Sequence, residues 1–205
     1  MHGGLRGCTI CVVMDTAHDR DIKLTRRLRY LWTFELLDSF LFPALLMWSS
    51  VRLDQRVGVF AIYSTGLVTF LLWQGAAYWR LKFRAHRTGS PIPLRYLTSF
   101  RVLRVVNWGL IGLLPIILAV TAGFGLIVGS ALNLAAGAGL YALAVLEQVN
   151  YYHYQLMYDY GPDWQYLLER KGLKRSSLSR ALARARQSAG SARRRDRHGV
   201  GSWQR

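Results

Sequence analysis

Acidic residues are scarce in this chain. Eleven Asp and Glu face 27 Lys and Arg, leaving a formal net charge of +16 at pH 7. A basic nucleic-acid-binding domain could share that charge, but its apolar residues would be dispersed at helical or strand periods. Cysteine is almost absent too. Cys8 and Cys11 form one C-x-x-C with no second pair and no flanking strand–helix pattern, so zinc or redox chemistry lacks support. There is no Walker loop, no H-E-x-x-H, no G-x-S-x-G and no dinucleotide fingerprint. The opening residues lack the charged-then-apolar layout of a secretory signal peptide. Met14 begins a second candidate start, M-D-T-A-H-D-R-D, so residues 1–13 are read as an optional extension.

What is present is apolar sequence in blocks. The chain is 52% hydrophobic, and its Lys and Arg lie almost entirely between or after runs of about twenty apolar residues. A bilayer imposes that segregation, since about 20 residues are needed to cross about 30 Å of hydrocarbon. The expected fold class is all-α: a polytopic membrane protein with four transmembrane helices, at about 30–50, 57–78, 105–128 and 131–153. Trp32 and Trp48 flank the first span at headgroup depth. Gly89, Pro91 and Pro93 mark a basic connector from Arg80 to about Arg101. Gly123, Gly125 and Gly129 cluster where a tight hairpin would join spans three and four.

Orientation follows from charge. Six Lys and Arg precede span one, seven lie between spans two and three, and twelve follow span four. The first loop holds two and the third none, so the division is 25 against two. Positive residues stay on the cytoplasmic side, which puts the N-terminus, middle loop and C-terminus there. Residues 1–29 are then a basic cytoplasmic segment. Residues 158–186 form a cytoplasmic amphipathic segment, in which Trp164, Leu167, Leu168, Leu178 and Leu182 would lie on anionic lipid. Residues 187–205 are expected to be a disordered basic tail.

A carboxylate at mid-bilayer costs roughly 2.5–3.5 kcal/mol on insertion scales, so charged groups in spans are the sharpest functional signals. Glu35 and Asp38 share a face of span one, and Glu147, Asn150, Tyr151 and Tyr154 form a stripe on span four. Gln148 and Tyr152 lie on the adjacent stripe. Gln74, Arg104 and Asn107 enter at similar depth from spans two and three. At 1.5 Å per residue this layer lies roughly 5–12 Å below the cytoplasmic surface. The reading is a polar, tyrosine-lined chamber open to the cytoplasm, with Arg104 as counter-charge.

Such a layer can simply hold helices together through interhelical hydrogen bonds. It can also bind a ligand, pass a proton or ion, or serve a membrane enzyme acting on a lipid or quinone. Metal binding has little behind it, because the Glu-x-x-His of carboxylate-bridged bundles is absent: position 150 is Asn, and His153 points away from Glu147. No metal and no cofactor are expected. Pro43 and Pro115 interrupt their helices' hydrogen bonding. The rows Ala131, Ala135, Gly139 and Gly125, Gly129 favour close helix contacts, within the bundle, in a homo-oligomer or with a membrane-protein partner. The other expected partners are the bilayer and its anionic headgroups; no recognition motif supports nucleic acid.

The segment L-E-Q-V-N-Y-Y-H-Y-Q-L-M-Y-D, Leu146 to Asp159, is followed by D-W-Q-Y-L-L-E-R-K-G-L-K-R-S-S-L-S. Over about residues 146–179 this resembles a group of small, uncharacterised four-helix bacterial membrane proteins whose last helix ends in an E-x-x-N-Y-rich segment. The resemblance implies a bacterial cytoplasmic membrane, no known activity and no catalytic residues. The function expected is that of a binding or scaffolding component, with a small transporter or channel subunit as the alternative.

Overall fold

The computed structural model describes residues 6–54, 56–124, 130–156 and 173–199. They form five helices: α1 Arg6–Arg52, α2 Val59–Thr88, α3 Leu94–Gly123, α4 Ala131–Tyr152 and α5 Ser177–Gly199. Four of these, α1 to α4, carry stretches long and apolar enough to cross a membrane. The chain is a multi-pass membrane protein.

The helices outrun the apolar blocks. At 30 residues each, α2 and α3 are about 45 Å long, well beyond the hydrocarbon thickness. The connector expected from Arg80 to Arg101 is therefore mostly helical, and only residues 89–93 interrupt it. Hydropathy marks where lipid ends, whereas Arg, Lys, Leu and Ala carry a helix onward until a breaker arrives. Gly89 is that breaker: it takes φ +63°, a left-handed conformation that suits glycine, and its N–H reaches His86 O. Pro93 then caps α3.

α2 is the central helix. Of its apolar window 56% is buried, against 6% for α1 and 17% each for α3 and α4. α1 lies along α2 and leaves Phe34, Leu37, Phe40 and Leu41 outward, the side a bilayer would cover. α4 also packs on α2, where Gly137 permits the approach: a Cβ there would sit 2.8 Å from the Phe60 ring and 3.2 Å from Ala61 N. Ala131, Ala135 and Gly139 are exposed and make no close contact within the bundle, which leaves the row to the alternative of contact with another chain. The Gly125 and Gly129 row, with most of the hairpin, lies outside the described residues.

Leu67, Val68, Leu71, Leu72, Ile111 and Ala144 form the mid-bundle core. Beside it, Pro115 has no N–H to offer Ile111 O, and α4 supplies a substitute: the Tyr141 hydroxyl donates to that carbonyl at 3.0 Å. Tyr63 donates likewise to Leu110 O at 2.7 Å. Tyr141→Phe should lower stability in detergent by about 1 kcal/mol. In a Pro115→Ala background, where the N–H is restored, the loss should shrink; an unchanged loss in that double-mutant cycle would disprove the substitution.

A second core at the α2–α3 turn end joins Tyr78, Leu97, Phe100, Tyr151, Tyr152, Leu178 and Leu182. Leu178 and Leu182 were expected to face lipid, but they are buried against the bundle. Their i,i+4 spacing identifies an apolar face and not what covers it. The tail expected to be disordered continues as α5 to Gly199, in keeping with its Ala, Arg and Gln content. Trp164, Leu167 and Leu168 lie outside the described residues. Cys8 and Cys11 fall in the opening turns of α1, so the basic N-terminal segment is also helical.

Candidate functional site

The polar residues of the four spans do meet, in two separate clusters. The first is a knot of amides. Gln74 on α2 and Asn107 on α3 exchange a reciprocal pair, Gln74 Nε2 to Asn107 Oδ1 at 3.0 Å and Asn107 Nδ2 to Gln74 Oε1 at 2.9 Å. Asn107 Nδ2 also donates to Gln148 Oε1 on α4 at 2.9 Å, and the Tyr152 hydroxyl donates to Gln74 Oε1 at 2.8 Å. Gln148 Nε2 completes the knot on Arg104 O at 3.0 Å. Asn107 and Gln148 are fully buried, at 0% exposure. Every amide nitrogen here has an acceptor, which is the condition under which a buried polar group is tolerated.

The second cluster is acidic. Glu35 on α1 accepts from the Tyr151 hydroxyl on α4 and from Trp79 Nε1 on α2, the latter at 3.0 Å. Glu35 and Tyr151 meet over Gly75, whose missing side chain leaves the space they use: a Cβ there would overlap both the Glu35 carboxylate and the Tyr151 hydroxyl. Glu147 lies next to this group, accepting from Asn150 Nδ2 at 3.4 Å and within electrostatic reach of Asp38 and Glu35. Three acids from two helices thus share one neighbourhood with phenol, indole and amide donors.

Two residues expected in the chamber are elsewhere. No ion pair joins Arg104 to Glu147 among the described residues. Its charge is felt instead by Tyr152 and His153, nearer the end of α4. The His153 Nε2 accepts from Trp108 Nε1 at 3.4 Å. Tyr154 is exposed and pairs as an isolated antiparallel bridge with Arg175. The stripe on α4 fails there because the helix ends at Tyr152, so helical phase no longer applies. Among the described residues no group of three His, Cys, Asp or Glu is placed to hold a metal ion.

Sequence reasoning missed the roof of this region. Residues 173–176 return beside the end of α4: Gln155 N donates to Lys174 O at 2.8 Å and Ser176 N to His153 O at 3.1 Å. Ser176 Oγ reaches Tyr151 O at 2.5 Å and also accepts from Ser179 N at 3.0 Å, capping α5. α5 is thereby set across the end of the bundle, with Ser177 Oγ 2.9 Å from the Tyr78 hydroxyl. No local pattern announces a contact 99 residues apart.

The chain matches no family model, no curated protein and no solved structure. What the site can do therefore rests on its own residues. Between α1, α2, the end of α4 and the start of α5 lies a cavity of about 180 Å³, with Glu35, Asn150 and Tyr151 in its lining. The acidic cluster thus borders open space, whereas the amide knot is closed by its own side chains.

Proposed function

We propose that the protein is a membrane-embedded binding component of the bacterial cytoplasmic membrane that receives its ligand from the cytoplasmic side, with both termini in the cytoplasm. The division of the polar layer carries this reading. The groups that span three helices are consumed by one another in the knot, while the groups left beside a cavity face the basic end of the bundle. The 25-to-two distribution of Lys and Arg assigns that end to the cytoplasm. The resemblance of residues 146–179 to small four-helix bacterial membrane proteins agrees with the compartment.

A transporter or channel would need polar groups continuing toward the opposite face. There the hydroxyls of Tyr63, Thr65 and Tyr141 are bonded to backbone carbonyls, at 2.7 to 3.0 Å, and those of Ser64 and Thr69, buried without a partner among the described residues, belong to one helix and form no continuous row. Binding without passage is the reading this favours.

Cysteine accessibility tests it in a Cys8→Ser, Cys11→Ser background. A membrane-impermeant maleimide should modify Gln155→Cys only from the cytoplasmic side and Asp54→Cys only from the other. Thr65→Cys, buried beyond the knot, should react from neither. Modification of Thr65→Cys from either side would favour a conduit, and labelling of Gln155→Cys and Asp54→Cys from the same side would overturn the orientation.

A further inference from the structure

Away from the cavity, the outer side of the α1–α2 pair carries a second cluster. Where the two helices leave their apolar stretches, arginines are set against aromatic rings across the pair. Arg80 of α2 has its Cζ 6.0 Å from the centre of the Trp32 ring on α1. Three residues further along each helix, about 4.5 Å at 1.5 Å per residue, Arg29 of α1 meets Phe83 of α2. Arg87 shares that ring: the two Cζ atoms lie 6.0 and 5.9 Å from its centre. The three arginines are exposed and the two rings half-buried. None of these five residues lines the cavity beside Glu35.

These guanidiniums are held but not neutralised. A ring at about 6 Å attracts a cation only weakly and brings no formal negative charge. Among the described residues no carboxylate forms an ion pair with Arg29, Arg80 or Arg87, and no hydrogen bond engages their guanidinium N–H groups. Asp19 and Asp21 of α1 are taken by Lys23 at 2.6 Å and His86 at 2.9 Å. Each guanidinium keeps its five donors in a planar fork, the shape that fits phosphate oxygens. Trp32 adds an indole N–H that is buried with no acceptor among the described residues.

Depth places the cluster at the edge of the hydrocarbon. No Lys or Arg occurs from position 30 to 51 or from 57 to 79, so Arg29 and Arg80 are the first cations past spans one and two at this end. That is the level at which lipid phosphates sit. Toward the membrane the same face is apolar. Ala77 and Trp73 precede Arg80 at helical spacing on α2, and Trp73 meets Phe40 of α1 with 6.2 Å between ring centres. Phe40 and Trp73 are 60% and 54% exposed, and Ala77 between them and Arg80 is small and exposed.

We infer that this face binds one diphosphatidyl lipid of the cardiolipin class. One phosphate lies against Arg80, the other against Arg29 and Arg87, and the acyl chains run along Ala77, Trp73 and Phe40. Three unpaired positive charges stand here in two places. A lipid with one phosphate fills one of them, whereas two phosphates joined through a glycerol reach both and cancel more of the mutual repulsion. The site lies apart from the cavity and goes beyond the cytoplasmic binding reading, so the failure of either leaves the other standing.

The test uses the full chain in mild detergent, titrated with tetraoleoyl cardiolipin, dioleoyl phosphatidylglycerol or inorganic pyrophosphate and read by native mass spectrometry. Cardiolipin should fill one high-affinity site and bind at least about tenfold tighter than either alternative. Arg29→Gln and Arg80→Gln should each weaken it severalfold, and the double variant about tenfold or more. Arg101→Gln, an equal loss of charge at an exposed position of α3, should leave it unchanged. Arg29 and Arg80 are exposed on different helices, so either variant decides the matter if the other does not fold. Phosphatidylglycerol binding as tightly as cardiolipin overturns the two-phosphate ligand. Pyrophosphate binding as tightly overturns the lipid as its source. Equal weakening in Arg101→Gln, or none in Arg29→Gln and Arg80→Gln, overturns the site and leaves only a diffuse attraction between a basic protein and anionic lipid.

Discussion

Gly75→Ala should destabilise the purified protein by roughly 2–4 kcal/mol, while Gly66→Ala on the same helix should leave it unchanged or slightly more stable. Both substitutions replace a flexible residue with the best helix former, which by itself is worth about 1 kcal/mol in favour of alanine. Their surroundings differ completely. Gly66 is exposed, with nothing within 4 Å of an added Cβ. At Gly75 the added carbon would occupy the volume of the Glu35 carboxylate and the Tyr151 hydroxyl. Glu35 is the end of a flexible side chain and can swing toward the cavity it lines, but only by giving up the donors of Tyr151 and Trp79. Tyr151 is a ring held in the second core and yields less easily. Overpacking alone costs about 1–3 kcal/mol, and a buried donor left unpaired adds about 1–3 more, so the steric and polar penalties exceed the propensity gain. Equilibrium unfolding of both variants in one detergent reads the difference. Equal stability of the two would mean that Glu35 and Tyr151 do not meet over Gly75.

The membrane class and the depth of the polar layer were legible in the sequence because each follows from a one-dimensional rule. Apolar runs of spanning length and the even spacing of Glu35, Gln74, Asn107 and Glu147 from the basic segments need only a count of residues. What needed three dimensions was the partition of that layer. Gln148 is adjacent to Glu147 in sequence, yet one step of helical rotation sends it to Asn107 and leaves Glu147 near Asp38. Arg104 is at a suitable depth by Cα position, but its long side chain carries the charge toward Tyr152 and His153, as long cationic side chains do when one end of a span is polar. Lys82 is a member of a basic run in the sequence. Only the return of Ser177 over the end of the bundle makes it part of a cavity.

The largest expected effect is at the amide knot. Asn107→Leu should cost on the order of 3 kcal/mol or more, because it removes the centre and leaves its partners in place. Gln74 would lose both a donor and an acceptor, and Gln148 its only donor from α3, all within a fully buried layer. Interhelical hydrogen bonds in membranes average only about 0.6 kcal/mol each, so at that average the three bonds lost are worth about 2 kcal/mol. Two stranded amides, at about 1–3 kcal/mol apiece, are the larger part. That asymmetry separates two roles for the knot. If it merely satisfies its own polar atoms, removing all of them together should be far milder than removing one. The combination Gln74→Leu, Asn107→Leu, Gln148→Leu and Tyr152→Phe should then recover most of the stability lost by Asn107→Leu alone. Unfolding midpoints of the two variants in the same detergent compare them directly. A fourfold variant no more stable than the single one would show that desolvation of the orphaned amides is not the main term. The hydrogen bonds themselves, or the close packing of the planar amides among α2, α3 and α4, would then carry the energy. Recovery of stability would leave a sealed apolar layer in the knot's place, and cytoplasmic labelling of Gln155→Cys should persist in it, because none of the four knot residues replaced here lines the cavity.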